Sequence, residues 1–367
     1  MNMIPLKTEY WNIYETKQKK KREELSLLNV FFCLLVIFIH VTAEPVTLYL
    51  KDSPLYILTL SLHRLSSFVV QGFIFLSGVK LFLNFGVDDF SYGKFFISRL
   101  KRVVVPYIIA FAVFYGWFIL LGVIEPSLPS FLRYLVIGDI TSHFYFVIII
   151  CQFYLLIPLW RRMAKSGNAL ISIVSSLIVM IILKQHLPEL PRFLFGIENF
   201  PHTSRLFTSY LFYFVLGVFA GLHYDDMMKA LRKQTKAVGV AWTVTALVNC
   251  IFIYLNSIGA YYALWLENFH ILYCFLSIML CLILGDKAVH RKNYAKRIRP
   301  TVKLMDKPSY YVYLIHPLFI FALDRTMNLM GMQSVSLRYL LRFAVVYAAS
   351  VVVCFVFGKG KKTKGKK

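Results

Sequence analysis

Apolar stretches of about 20 residues, separated by short polar or basic connections, recur along the chain from residue 25 to residue 357. A helix rises about 1.5 Å per residue, so each stretch is long enough to cross a hydrocarbon layer of roughly 30 Å. Ten can be counted, with cores at 25–43, 66–84, 103–123, 142–160, 169–183, 206–223, 237–255, 262–284, 309–324 and 339–357. The pattern predicts an all-α, polytopic membrane protein of about ten transmembrane helices. Its expected organisation is a basic segment at 1–24, one membrane domain at 25–357 and a basic tail at 358–367, because no polar connection is long enough for a separate soluble domain.

Composition supports this. Hydrophobic residues make up 58% of the 367 positions and charged ones 16%, and the mean hydropathy of +0.64 exceeds what a soluble core can hide. The net charge of +23 would suggest a nucleic-acid partner if it lay on one face of a soluble domain. Instead, with the N-terminus inside, most Lys and Arg fall on one side of the membrane. That is the positive-inside pattern, and it places both termini in the cytoplasm. No nucleic-acid partner is therefore expected. The runs "KQKKKR", "RKNYAKRIR" and "GKGKKTKGKK" read as topology determinants and contacts with anionic membrane lipid. The basic start, the apolar run and "VTA" also resemble a secretory signal, but nine further spans favour an uncleaved first helix.

The six cysteines lie inside expected spans and form no CxxC pair, so neither a disulfide framework nor a metal site is expected. There is no Walker loop, GxSxG elbow or HExxH helix, which removes support for ATPase, hydrolase and zinc-protease chemistry.

Ionisable residues at membrane depth are costly and are functional candidates by default. His40, in "CLLVIFIHVTAEP", falls in the outer half of the first span. A neutral imidazole there can take a proton from a hydroxyl, or it can hydrogen-bond between helices. Glu44, one turn later, either holds that ring or marks the interface. His316 is followed by Pro317, whose missing N–H frees a carbonyl that the histidine can satisfy; a catalytic role is the alternative. In "FISRLKRVVVPYI", Arg99, Lys101 and Arg102 suit phosphate binding as well as a positive-inside anchor. His143 opens the fourth span, where it either binds an external acceptor or caps a solvated helix end, and Gln152 lies deeper. Gly217 and Gly221 in "LGVFAG" have the spacing of close helix packing.

Taken in order, "LLVIFIHV", "VVQGFIFLSGVKLF", "FISRLKRVVVPYI", "HFYFVIIICQFYLLIPL", "LFYFVLGVFAGLHY" and "YYVYLIHPLFI" resemble the acyltransferase 3 family of integral membrane acyltransferases. Several look most like the branch of polysaccharide intercellular adhesin modification proteins. The resemblance implies a multi-pass enzyme of the bacterial plasma membrane, with cytoplasmic acyl-CoA as co-substrate, a carbohydrate hydroxyl as acceptor and no metal. It places the family's catalytic histidine at His40 and its donor-binding basic residues at Arg99, Lys101 and Arg102. His143, His316, Glu44 and Asn29 are the substrate-binding candidates. One position departs from the pattern: the family usually has an arginine eleven residues before the histidine, where this chain has Asn29. Either a neighbour such as Arg22 substitutes, or the donor differs, or activity is reduced. An arginine introduced at this position is expected to meet an unpaired apolar setting. The rival to an enzyme is a polysaccharide or solute exporter in which the buried histidines form a proton relay.

Overall fold

A computed structural model describes residues 22–85, 90–189 and 202–359. Among the described residues every regular element is helical, as backbone that must satisfy its own hydrogen bonds in lipid requires. The expected basic segments lie mostly outside them, at 1–21 and 360–367.

Helix α1 (Glu23–Leu48) is the first span. Helices α2 (Pro54–Ser66) and α3 (Val69–Phe85) make the second. Helix α4 (Tyr92–Arg99) passes through a π-helical turn, Leu100–Val104, into α5 (Val105–Leu120). A short helix α6 (Leu128–Ile137) precedes α7 (Tyr145–Leu155) and α8 (Ile157–Ser166), which bend by 54°. Then come α9 (Ala169–His186), α10 (Leu211–Leu222) and α11 (Tyr224–Lys233). The chain turns by 102° between Phe207–Leu222 and α11. Helices α12 (Thr235–Ser257) and α13 (Leu266–Val289) follow, then a second π-helical turn, Tyr294–Ile298, leading to α14 (Arg299–Asp306), α15 (Ser309–Leu329) and α16 (Val335–Lys359).

All ten expected cores fall on helices. Among the described residues seven helices are long and apolar enough to cross a membrane, or nine if each bent pair is one span. The remaining candidate is α15, which is 21 residues long but carries His316, Pro317, Asp324 and Arg325 and is the more polar for it. The second span needs correction: its helix starts at Pro54, where the Ser53 hydroxyl accepts from the Tyr56 N–H at 3.1 Å, and it carries His63 and Arg64. Those polar residues lower the local hydropathy and hide the helix; partners supplied by other spans make them tolerable. Helix α6 was not expected from the sequence.

Burial distinguishes centre from rim. Of the apolar stretches of α1, α2–α3 and α13, 56%, 61% and 50% of residues are buried, against 11% in α9 and 17% in α12. Val240, Val244, Leu247 and Ile251 form an exposed stripe along α12, as expected where the solvent is lipid. At the centre α3 and α10 cross with almost no space between them. A Cβ on Gly221 would lie 2.6 Å from the Val79 carbonyl oxygen, one on Gly78 would lie 2.7 Å from that of Phe214, and one on Gly217 would collide with that of Phe75. The expected close packing at Gly217 and Gly221 is thus present, with Gly78 as its counterpart on α3.

Ion pairs fasten both ends of this bundle. At the end where α1 begins, termed inner after the expected orientation, Arg22 donates two 2.7 Å bonds to Asp225, and the Arg299 Nε lies 2.7 and 2.9 Å from the Glu23 carboxylate oxygens. Arg232 grips Asp286 at 2.7 and 2.8 Å. At the outer end Glu44 pairs with Arg338 at 3.2 Å and with Arg342, and Arg342 also reaches Asp324 at 2.6 Å.

Candidate active site

Three histidines far apart in sequence meet in the outer half of the bundle. His40 on α1, His143 just before α7 and His316 on α15 have ring centroids 5.1 Å apart (His40–His316), 5.5 Å (His143–His316) and 6.0 Å (His40–His143). Each arrives for a local reason. Pro317 leaves the Tyr313 carbonyl without its helical N–H, and the His316 Nδ1 donates to that oxygen at 2.8 Å, with the Val312 carbonyl at 3.2 Å. The expected repair of the kink is present. It also fixes the tautomer, leaving Nε2 as a buried acceptor with no partner among the described residues.

His143 is held on both sides. Its Nε2 lies 3.1 Å from the Leu314 carbonyl and its Nδ1 lies 2.9 Å from the Thr141 hydroxyl. A carbonyl can only accept, so Nε2 donates and Nδ1 accepts, an assignment made from the hydrogen-bond network. The Tyr313 hydroxyl donates to the His143 carbonyl. Since His143 is 2% exposed, it supports the cluster rather than forming a solvated helix end. His40 has no hydrogen-bond partner among the described residues and is partly exposed. The site therefore presents two convergent basic nitrogen positions, one on His40 and one at His316 Nε2, beside a third ring that is fully bonded.

Inward of the cluster lies a cavity of about 280 Å³ whose lining includes Asn29, Lys80, Arg99, Asp306, Lys307 and Tyr313. Tyr313 links it to the histidines, its ring 5.5 Å from that of His143 and 6.3 Å from that of His316. The Arg99 guanidinium lies over Tyr154 at 4.7 Å and Phe95 at 5.0 Å, and its Nε is buried without a partner among the described residues. Aromatic faces that fix an arginine leave its edge for an anion.

The basic cluster is divided. Lys101 and Arg102 are exposed and do not line the cavity. The cause is the π-helical turn Leu100–Val104, set just ahead of Pro106, whose missing N–H disrupts the α ladder; Lys80 and Lys307 stand in the lining instead. Glu44 is turned to Arg338 and Arg342 and does not hold the His40 ring. Arg22, committed to Asp225 and lying 4.9 Å over the Tyr224 ring, does not stand in for an arginine at position 29. Asn29 lines the cavity while donating to Ser309 Oγ at 2.8 Å and to Asp306 Oδ1 and O at 3.1 and 3.2 Å. Its surroundings therefore contain a carboxylate, which corrects the expectation of an unpaired apolar setting. Gln152 lies between α7 and the 205–207 segment, donating to the Arg205 carbonyl and accepting from the Phe207 N–H, both at 2.9 Å.

Sequence reasoning missed a second polar group at membrane depth. His63 Nδ1 and Thr42 Oγ1 are hydrogen-bonded at 2.8 Å. Arg64 pairs with Glu267 at 2.9 Å and with Asn249 Oδ1 at 3.3 Å, and His270 Nδ1 meets the same Asn249 oxygen at 2.9 Å. The rule that singled out His40 applies equally to His270, and Asn249 is a further polar side chain at that depth; both lie within expected spans. Among the described residues, no three His, Cys, Asp or Glu side chains are arranged to hold a metal ion.

A family model described as an acyltransferase domain matches residues 22–359. The chain belongs to the acyltransferase 3 family. Acyltransferase 3 relatives include a protein of Staphylococcus epidermidis named "Probable poly-beta-1,6-N-acetyl-D-glucosamine export protein", 27% identical over 321 residues, which are 85% of this chain and 84% of that one. A protein of the same name from Staphylococcus aureus strain MSSA476 is 24% identical over 360 residues, 93% of this chain and 97% of its own. No solved structure matches the chain. All the elements that build the histidine cluster and the cavity lie within the acyltransferase 3 match.

Proposed function

We propose that this multi-pass protein is an O-acyltransferase of the bacterial plasma membrane, moving an acyl group from cytoplasmic acyl-CoA to a hydroxyl of a cell-surface or lipid-linked carbohydrate. The observation that carries the reading is the meeting of His40 and His316, with unpartnered nitrogen positions, next to a cavity that contains Arg99. Arg99, joined by Lys80 and Lys307, would receive donor phosphates, with Lys101 and Arg102 as an exposed basic approach. At about 280 Å³ the cavity is at the lower limit of ligand pockets, roughly 300–1,000 Å³, so it suits part of the donor, with the nucleotide end outside.

In the transfer, the acceptor hydroxyl gives its proton to His40 as its oxygen attacks the thioester carbon. The carbon–sulfur bond breaks, an ester forms, and the departing thiolate takes the proton from the imidazolium to leave as free CoA thiol. His316 Nε2 lies where it can accept a hydrogen bond from the acceptor and orient it, and His143 keeps both rings in place.

The name of the relatives, export proteins for poly-β-1,6-N-acetyl-D-glucosamine, favours a second reading, export of such a polymer with the histidines acting on protons. One assay separates the two: purified protein in lipid is given acyl-CoA with and without a carbohydrate acceptor, and free thiol and acylated product are measured. Acceptor-dependent thiol release supports the transferase; polymer translocation without thiol release sinks it.

A further inference from the structure

A second cavity, of about 310 Å³, opens toward the outer end between α3, α9, α10 and α13, away from the donor cavity. The polar part of its lining includes Gln71, Lys184, Thr203, Ser204, Ser209, Tyr210 and Glu267. Its two charged groups lie apart from the hydroxyls: Glu267 pairs with Arg64 at 2.9 Å, and Lys184 is exposed and reaches the Glu267 backbone carbonyl at 3.4 Å. What remains is a set of neutral hydroxyl groups, an amide and tyrosine rings. The Gln71 amide nitrogen, oriented by its hydrogen-bond network, donates to the Ser67 and Phe68 carbonyls at 3.1 and 3.2 Å, which leaves its oxygen as an acceptor.

His270 forms the floor. It is 7% exposed, bonded to Asn249 and Ser67 at 2.9 Å each, and stacked on Tyr273 with centroids 5.3 Å apart. Such a floor is rigid, which a binding site needs and mere packing does not. The cavity reaches toward the histidine cluster through Tyr210 in its wall, whose hydroxyl faces that of Tyr145, two residues after His143.

We infer that this outer cavity is a subsite for a neutral saccharide, holding one or two sugar rings of the acceptor beside the histidine cluster. The hydroxyls of Thr203, Ser204 and Ser209 and the Gln71 oxygen match ring hydroxyls, and Tyr210 offers an apolar face. The volume sits at the small end of ligand pockets, about 300 Å³, and fits a mono- or disaccharide better than a lipid tail. The inference deepens the carbohydrate-acceptor reading and rests on it.

The test uses the full chain in lipid nanodiscs, titrated calorimetrically with a panel of neutral disaccharides, β-1,4- and β-1,6-linked, with and without N-acetyl groups, and with inorganic phosphate as the anionic control. At least one disaccharide is expected to bind saturably and phosphate is not. Thr203→Phe, which fills the cavity, and Gln71→Met, which removes its acceptor at similar volume together with two bonds to backbone carbonyls, should each weaken binding by about tenfold or more in protein that still shows a cooperative melting transition. If Thr203→Phe fails to fold, Gln71→Met alone decides. No binding by any disaccharide, binding unaffected in the folded variants, or binding of phosphate in their place overturns the inference. Thiol release from acyl-CoA is measured on the same preparations. Cavity-dependent saccharide binding without thiol release would sink the transferase and leave the subsite standing, whereas thiol release with cavity-independent binding would do the reverse.

Discussion

His316 serves two purposes because a proline follows it. One nitrogen repairs the backbone that Pro317 breaks, and that bond commits the other nitrogen to the space facing His40. His40 and His143 differ in a way that mutation will separate. His40→Ala removes no protein hydrogen bond among the described residues, so melting should stay close to wild type while acceptor-dependent thiol release falls by about 10²–10⁴-fold, the usual contribution of a general base. His143→Ala strips the Leu314 carbonyl and the Thr141 hydroxyl of partners, and should cost about 1–3 kcal/mol for each buried group left unpaired, seen as a lowered melting temperature. Retained turnover in His40→Ala would return that ring to a structural role. At position 29 the nearby Asp306 carboxylate gives an introduced arginine a counter-ion. Asn29→Arg should therefore keep its melting temperature and, with part of its charge taken by Asp306, tighten acyl-CoA binding by about 1 kcal/mol, whereas Asn29→Ala, which leaves Asp306 and Ser309 without their donor, should melt lower. An Asn29→Arg protein that binds acyl-CoA no better than wild type would count against the cavity as donor site.

Among the helices, two devices set the geometry. Glycines at 78, 217 and 221 let α3 and α10 meet backbone to backbone, and this crossing carries the aromatic core between them. Gly217→Val should abolish folded expression, since the facing Phe75 carbonyl is backbone and cannot swing away. Gly116→Ala, with nothing within 4 Å of the new Cβ, should be neutral or slightly stabilising, by up to about 1 kcal/mol; detergent melting curves check both. The other device is the π-helical turn. Both examples, Leu100–Val104 and Tyr294–Ile298, come just before a helix with proline in its first turn. In each case the proline leaves a carbonyl unpaired and the wider turn absorbs the fault. At the first of them the outcome is functional, because Arg99 faces the cavity and its two basic neighbours do not.

Over the molecule as a whole, charge is concentrated at the two ends and the body faces lipid with apolar side chains. At the outer end Arg342, 3% exposed, lies between Glu44 and Asp324. Arg342→Leu would leave the half-buried Asp324 carboxylate without a partner and Glu44 with Arg338 alone, and should cost about 1–3 kcal/mol, with melting partly recovered on adding Glu44→Gln and Asp324→Asn. No recovery in the triple variant would mean that Arg342 acts through packing alone. The expected orientation is checked by reporter fusions. One after Lys367 or within 287–303 should be active only in cytoplasmic format, and one near Asp52 only outside; the opposite result for the C-terminal fusion would refute the orientation.

Much of this was legible in the sequence, because lipid as a solvent imposes a local rule: about 20 apolar residues must be helical wherever they occur. That rule placed all ten apolar cores on helices, and the cost of burying ionisable groups singled out His40, His143 and His316 one by one. Their meeting could not be read from the chain. His40, His143 and His316 are brought together by helix packing, and no spacing in a single sequence encodes a contact across 276 positions such as that between Glu23 and Arg299. The same limit explains the errors. Glu44 could be judged only against its neighbour four residues away, while its partners lie on α16. Arg64 was left outside the expected core at 66–84, since its partners Glu267 and Asn249 come from other helices. The sequence by itself determined which segments are buried in lipid and which side chains are expensive there; tertiary structure alone decided which of those side chains face one another, since hydropathy acts within a helix and hydrogen bonding and charge pairing act between helices.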